Sequence, residues 1–286
     1  MTDLRVWKYQ GAGNDFVMTD DPDDRRPLSP GEVAALCDRR FGIGADGAIR
    51  VTTDADGRAF MDYRNADGSV AEMCGNGLRC VALFLRDVGR TDDDGVEIGT
   101  RAGPRRAERM PDGRVRVNMG EPNFTKAAIP MRGPAWETFL RQPLDLGGGV
   151  NVIASAVSFG NPHLVLFVDD EPARYHVSHI GAVLERDERF PEGTNVEFAN
   201  IRDEEIAARV WERGSGETLA CGSGACAVAV AAEEAGLAGR RAVVRFPGGV
   251  LEVERVAAGP VLLTGDAARV FETIVDVEAL AGARPG

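Results

Sequence analysis

The chain contains no run of about 18 apolar residues, which excludes a membrane-spanning helix. Its opening, Met1 to Tyr9, carries Asp3, Arg5 and Lys8 where a signal peptide would need an apolar core, so none is expected. Cysteine is scarce and odd in number, five in 286 residues. A chain of this length buries roughly 75% of its unfolded surface and needs no disulfide staples, so thiols in a reducing cytoplasm are expected. Basic residues are outnumbered, 33 against 45 acidic, for a net charge of −12. Phosphate backbones are held by Lys and Arg, so nucleic acid is not an expected partner. Gly11–Gly13 lacks the full dinucleotide fingerprint and its spaced acidic residue. His176 and His179 have no Glu-containing zinc motif beside them, and no lysine stands in a Schiff-base context, so neither a metal nor a pyridoxal cofactor is expected.

What remains is ordinary globular composition, 44% hydrophobic and 27% charged. At roughly 150 residues per domain the length suggests two domains. The acidic stretches Asp20–Asp24 and Asp92–Asp94 read as solvated loops. Leu4 to Val17 reads as strand, glycine turn, strand. Ser29-Pro30-Gly31-Glu32 is a helix start with a cap, a proline in the first turn and a capping box. Strands are expected at Ala48–Thr52, Val96–Ile98, Val115–Asn118, Ala156–Phe159, Leu164–Val168, Val243–Phe246, Val250–Val256 and Val261–Thr264. Helices are expected over Gly77–Val88 and Gly224–Ala235, each leaving a glycine-rich turn. The fold class is α+β with strands outnumbering helices.

The chain repeats itself. Met73-Cys74-Gly75-Asn76-Gly77 is echoed by Ala220-Cys221-Gly222-Ser223-Gly224, and Gly13-Asn14-Asp15-Phe16-Val17 by the segment from Gly160-Asn161 to Val165. Asn14 precedes Cys74 by 60 residues, and Asn161 precedes Cys221 by the same 60. A weaker echo sets Arg40-Phe41 through Asp46 beside Arg189-Phe190 through Asn195. The expectation is two pseudo-symmetric lobes, each giving one cysteine to a cleft, the kind of place ligands favour. The lobes are drawn as 1–122, with 267–286 returning to it, and 123–266.

Each Cys-Gly-x-Gly leads into an apolar helix, which puts the sulfur at a helix N-terminus among N–H groups that lack intrahelical partners. That setting is expected to lower the thiol pKa and to hold a carboxylate. With two such termini on one carboxylate, one thiolate removes the α-proton and the other thiol reprotonates the opposite face, inverting the carbon. The N–H groups stabilise the enolate-like charge. Cys37, Cys80 and Cys226 read as packing residues, and His163 reads as a core or supporting histidine.

At these residues the chain resembles the diaminopimelate epimerase family. The resemblance runs through Gly11–Phe16, Asn65–Ser69, Cys74–Cys80, Gly160–His163, Gly193–Asn195, Trp211–Thr218 and Cys221–Cys226. It implies two barrel-like, mainly antiparallel sheets, each around a central helix, and interconversion of LL- and meso-diaminopimelate without a cofactor, in lysine and cell-wall precursor synthesis. It implies Cys74 and Cys221 as the acid–base pair, with the N–H groups of Gly75, Asn76, Gly222 and Ser223 on the reacting carboxylate. Asn14, Asn65, Asn161, Asn195, Glu212 and Arg213 would recognise the rest of the substrate, and a cytoplasmic homodimer is implied. Two positions depart from the family pattern: Gln10 stands where many members carry His, and Gly47 where they carry Gln. Proline racemase-like and phenazine-type enzymes are the rivals. The Glu212-Arg213 pair argues against the first and the two cysteines against the second. A binding protein of the same shape would have no need of two matched thiols.

Overall fold

A computed structural model describes residues 3–146, 149–202, 205–257 and 259–282. Close packing divides the chain into two units, Met1–Val117 with Gly265–Gly286 and Asn118–Thr264. Among the described residues no helix is long and apolar enough to cross a membrane.

The first unit opens with β1 (Asp3–Gly11) and β2 (Asn14–Asp20), joined at Ala12 and Gly13, both at positive φ (52° and 80°). Two left-handed residues match the twist of a two-residue hairpin. Helix α1 (Pro30–Cys37) starts as its sequence dictates, with Ser29 as cap and Glu32 returning the bond. Then come β3 (Gly47–Thr53), β4 (Ala59–Asn65), α2 (Gly75–Asp87), β5 (Gly95–Gly99), β6 (Arg105–Arg109) and β7 (Val115–Asn118). The ladder runs antiparallel for β1–β2, β3–β4, β5–β6 and β6–β7, and parallel for β2–β3 and β4–β5.

The second unit holds β8 (Gln142–Asp145), β9 (Asn151–Ser158), β10 (Pro162–Phe167), α3 (Val177–Glu185), β11 (Asn195–Arg202), β12 (Glu205–Glu212), β13 (Gly216–Thr218), α4 (Gly222–Glu234), β14 (Arg241–Phe246), β15 (Gly249–Arg255) and β16 (Val261–Gly265). Its ladder follows the same rule. It is antiparallel for β9–β10, β11–β12 and β14–β15, and parallel for β10–β11 and β12–β14. The chain then returns to the first unit as β17 (Ala268–Asp276), antiparallel to β1, and α5 (Val277–Gly282). The short strand β8 lies on β9 as β17 lies on β1. The repeat seen in two sequence motifs is thus a repeat of sheet topology.

Each sheet wraps a helix. Helix α4 is built of Ala, Val and Gly and is buried on every face from Gly222 to Ala232, as a helix apolar all round must be. Helix α2 buries Leu78, Cys80, Val81, Phe84 and Leu85. Both helices begin two residues before the expected Gly77 and Gly224, because the cysteines themselves cap them. One expectation fails within an acidic loop: Asp21 is not solvated. It accepts the amides of Arg25 and Arg26 at 2.8 Å and pairs with Arg50 at 2.8 Å. Burial pushes its pKa up, but these donors outweigh burial and the net shift is downward.

The strand register also refines the weakest echo. Phe16 pairs with Gly47, and His163 pairs with Asn195. The counterpart of Asn195 is therefore Gly47, one residue beyond the Asp46 that the sequence match suggested.

Candidate functional site

The two cysteines occupy the same structural position. Cys74 has extended backbone (φ −141°, ψ 119°), and so does Cys221 (φ −124°, ψ 124°). Each sulfur accepts from the amide three residues on, Gly77 or Gly224, at 3.4 Å. Each thus does the work of a Ser or Asp cap. Gly75 and Asn76 fill the first two helical positions of α2, and Gly222 and Ser223 those of α4. Their amides lie in the first turn, at the positive end of the helix dipole. Space is tight at glycines 77 and 224: a Cβ at Gly77 would come within 3.0 Å of Ile49 Cδ1, and one at Gly224 within 2.9 Å of Glu197 Oε1, so those side-chain ends would have to shift.

Beside Cys74 stands a neutral amide acceptor. The sulfur lies 3.6 Å from Asn14 Oδ1, which also accepts from Asn76 Nδ2 at 3.2 Å. Asn14 Nδ2 donates to Asp46 Oδ2 at 2.7 Å. Arg79, fully buried inside α2, donates to Asn76 Oδ1 at 2.9 Å and to the Asp266 carbonyl at 3.2 Å. Sequence reading passed over both Asp46 and Arg79. The signal for Arg79 was a charge set between Leu78 and Cys80-Val81 near the start of the helix. Asn65 sits at the end of β4, its amide donating to Ser69 Oγ at 3.0 Å. At Gly47 the space that a side chain would need is filled: a Cβ there would come within 2.6 Å of the Tyr63 ring.

Around Cys221 the surroundings are ionisable. Ser223 Oγ lies 3.5 Å from its sulfur and accepts from Asn161 Nδ2 at 3.2 Å. Asn161 Oδ1 is 3.1 Å from His163 Nε2, and His163 Nδ1 is 2.7 Å from Glu197 Oε1, both residues being fully buried. The other oxygen, Glu197 Oε2, is buried without a hydrogen-bond partner among the described residues. Glu212 accepts from Thr218 and pairs with Cys221. Burial raises its pKa, and those two bonds oppose the rise.

The expected acid shift of the thiols does not hold at Cys221. Burial pushes its pKa well up, Glu212 and Glu197 push it further, and the Ser223 and Gly224 bonds only partly oppose them. One helix terminus is outweighed by desolvation and two neighbouring carboxylates. Cys37 and Cys80 are buried, and burial pushes each thiol up to about 12. None of the five cysteines forms a disulfide.

Asn195 and Glu212 stand at the same end of the β11–β12 ladder, one step beyond the Val196–Trp211 pair. Asn195 Oδ1 accepts the Arg213 amide at 2.9 Å, and its Nδ2 donates to the Pro162 carbonyl at 2.8 Å. The Arg213 guanidinium rests on the Glu192 carbonyl at 3.2 Å with most of the residue exposed. The second unit thus ties Ser223, Glu212 and, through Ser223, Asn161 to Cys221, with Asn195 beside Glu212 at the ladder end, and the first gathers Asn14 and Asn76 close to Cys74. His176 and His179 lie elsewhere, at the start of α3. Among the described residues no three His, Cys, Asp or Glu side chains gather as metal ligands.

The family model described as diaminopimelate epimerase matches residues 6–125 and 155–270. A diaminopimelate epimerase of Desulforudis audaxviator is 46% identical over 278 residues, covering 94% of this chain and 98% of that protein. One of Synechocystis is 43% identical over 273 residues, covering 94% and 97%. Among solved structures, a probable proline racemase from Agrobacterium radiobacter superposes with a TM-score of 0.70 at 16% identity, covering 96% of this chain and 93% of that one. A predicted epimerase from Pseudomonas aeruginosa gives 0.68 at 18% identity, covering 95% and 99%. At such identities these structures speak to the fold alone.

Proposed function

This chain belongs to the diaminopimelate epimerase family, and from that premise we propose that it interconverts LL- and meso-diaminopimelate in lysine and peptidoglycan precursor synthesis, using Cys74 and Cys221 as the two bases. The observation that carries the reading is the duplicated cap: two cysteines, each the N-cap of a central helix, each sulfur held by the third amide. Hydrogen bonding at the sulfur and first-turn amides at the next two positions suit a group that exchanges a proton beside a bound carboxylate.

In the forward step one thiolate takes the α-proton and the other thiol delivers a proton to the opposite face. The amides of Gly75, Asn76, Gly222 and Ser223 hold the reacting carboxylate while charge builds on it. Asn14, Asn65, Asn161 and Asn195 both donate and accept. Glu212 suits an ammonium group, and Arg213 can grip the distal carboxylate through two parallel bonds. The pair Glu212–Arg213 favours a substrate with a second amino-acid end. We also read the enzyme as a cytoplasmic homodimer. In support, Val270, Phe271 and Ile274 expose apolar surface along β17.

The test is epimerisation of LL-diaminopimelate by protein stripped with chelator and carbonyl reagents. Full activity is expected. Activity that returns only with added metal or pyridoxal phosphate would refute the reading.

A further inference from the structure

The two halves tie down their asparagines from opposite sides. In the first, Asp46 Oδ2 accepts from Asn14 Nδ2 at 2.7 Å and from the Asp15 amide at 3.1 Å, while Oδ1 accepts from Arg39 at 2.7 Å. A carboxylate offers acceptors only, so Asn14 must turn its NH2 group to it. The Asn14 carbonyl oxygen is thereby aimed at the start of α2, where Cys74 and Asn76 meet it. In the second half the order is reversed: the Asn161 carbonyl faces His163, and its NH2 group faces the start of α4.

We propose that Asp46 is a positioning residue: by fixing which way the Asn14 amide faces, it keeps a hydrogen-bond acceptor against Cys74 and holds that sulfur in its protonated form. An amide oxygen accepts a hydrogen bond but does not take the proton, whereas Cys221 has the carboxyl group of Glu212 beside it. Of the charges packed around these groups, Arg79 lies on the helix of Cys74 and bonds Asn76, Lys8 pairs with Asp15 on the first hairpin, and Arg39 pairs with Asp46, with the Cys80 thiol further along α2. Asp46 binds Asn14, and its effect passes through that amide. The functional weight of the inference rests on the acid–base role proposed for Cys74.

The test is the pH profile of alkylation by iodoacetamide, read separately at Cys74 and Cys221 by peptide mass spectrometry. In Asp46→Asn the side chain can offer NH2 to Asn14, which can then give up its bond from Asn76 Nδ2 and turn its own NH2 group to the sulfur. Cys74 should be labelled roughly three- to tenfold faster below its midpoint, the population ratio set by one hydrogen bond of ordinary net strength. Its midpoint should move down, and the Cys221 profile should not move. A purely structural role would lower the melting temperature and leave the Cys74 midpoint in place. If Asp46→Asn fails to fold, Asn14→Ala decides, because it removes the acceptor and leaves Asp46 bound to Asp15 and Arg39. It must shift the Cys74 profile in the same direction. An unshifted midpoint in a folded variant overturns the proposal. Labelling needs no turnover, so a Cys74→Ala protein that still epimerised would sink the catalytic reading without touching this result.

Discussion

Compare what lies beneath the two helix starts. Under α2 it is Phe16 and Ile49; under α4, at the same steps of the same parallel ladder, it is His163 and Glu197. Phe16 stacks edge-on against Tyr63 with ring centroids 5.7 Å apart, and the apolar layer needs nothing further. His163 and Glu197 form a buried pair that reaches Cys221 through Asn161 and Ser223. The duplication kept the backbone cradle, which any residue sequence of the right shape supplies, and let the polarity beneath it diverge. Two thiols that look alike in sequence therefore stand in chemically unequal surroundings, as a reaction that inverts one carbon through two different proton carriers permits.

The harshest way to break the comparison is to remove either sulfur. Cys74→Ala and Cys221→Ala should each cut epimerisation by at least the roughly 10²- to 10⁴-fold that a positioned acid or base contributes. Cys37→Ala should retain most activity. Near-normal turnover by either active-site variant would show that the halves do not share the chemistry.

A second experiment transplants one underlay into the other. Glu197→Ile alone leaves His163 Nδ1 buried without its partner and should cost about 1–3 kcal/mol in denaturant unfolding. His163→Phe combined with Glu197→Ile copies Phe16 and Ile49, and should recover most of that loss, because a well-packed apolar pair replaces a buried pair whose Oε2 is already unsatisfied. If the double variant is no more stable than the single one, the two sites are not interchangeable in packing.

How much of this was legible from residues alone follows from the same contrast. The repeat showed itself where glycine and asparagine are demanded by the backbone, at Asn14, Asn161 and the Cys-Gly-x-Gly turns. The α1 start was readable because Ser29, Pro30 and Glu32 each have one strong local use. The helix starts at Gly75 and Gly222 were missed by two residues because a sulfur cap falls outside the usual oxygen caps. Strands β11 and β12 went unmarked because Glu197, Arg209 and Glu212 interrupt their apolar pattern. Glu197 carried no signal of its own; only the ladder register, which sets it against Ile49, makes it conspicuous. The raised Cys221 pKa required knowing which carboxylates burial brings together, and that is tertiary information.

Arg213 sharpens the comparison at the proposed substrate contacts. The ladder sets Asn65 against Gly47 as it sets Glu212 towards Asn195, so the first half has Ala66 where the second has Arg213. Arg213→Lys keeps the charge and loses the planar fork. KM for diaminopimelate should rise about tenfold, in line with the loss of a charge-assisted bond. A variant with wild-type KM would remove Arg213 from the distal end.

The smallest contrast is between the outer helices. Helix α1 has a full capping box, whereas α3 begins at His176 with no side-chain cap. Ser29→Ala should cost about 1 kcal/mol, and His176→Ala should leave the unfolding midpoint nearly in place. The pKa of Glu32 is held down to about 2 by Arg26 and by its bonds to Ser29, against burial. Its folded value lies below the unfolded value of about 4.3, so its contribution is present above that value and is lost as pH falls towards 2. Acid titration of Ser29→Ala against wild type should show the gap between them closing over that window.

The account stands or falls on two bases acting from opposite faces of one carbon. The direct measurement is a first-turnover incubation with LL-diaminopimelate in D₂O without added cofactor, resolving deuterium at Cα in product and in returned substrate. Two unequal thiols predict deuterium in the inverted product and almost none in recovered LL substrate at early times. Deuterium appearing equally in both from the start would mean that a single base serves both faces, and would contradict the account.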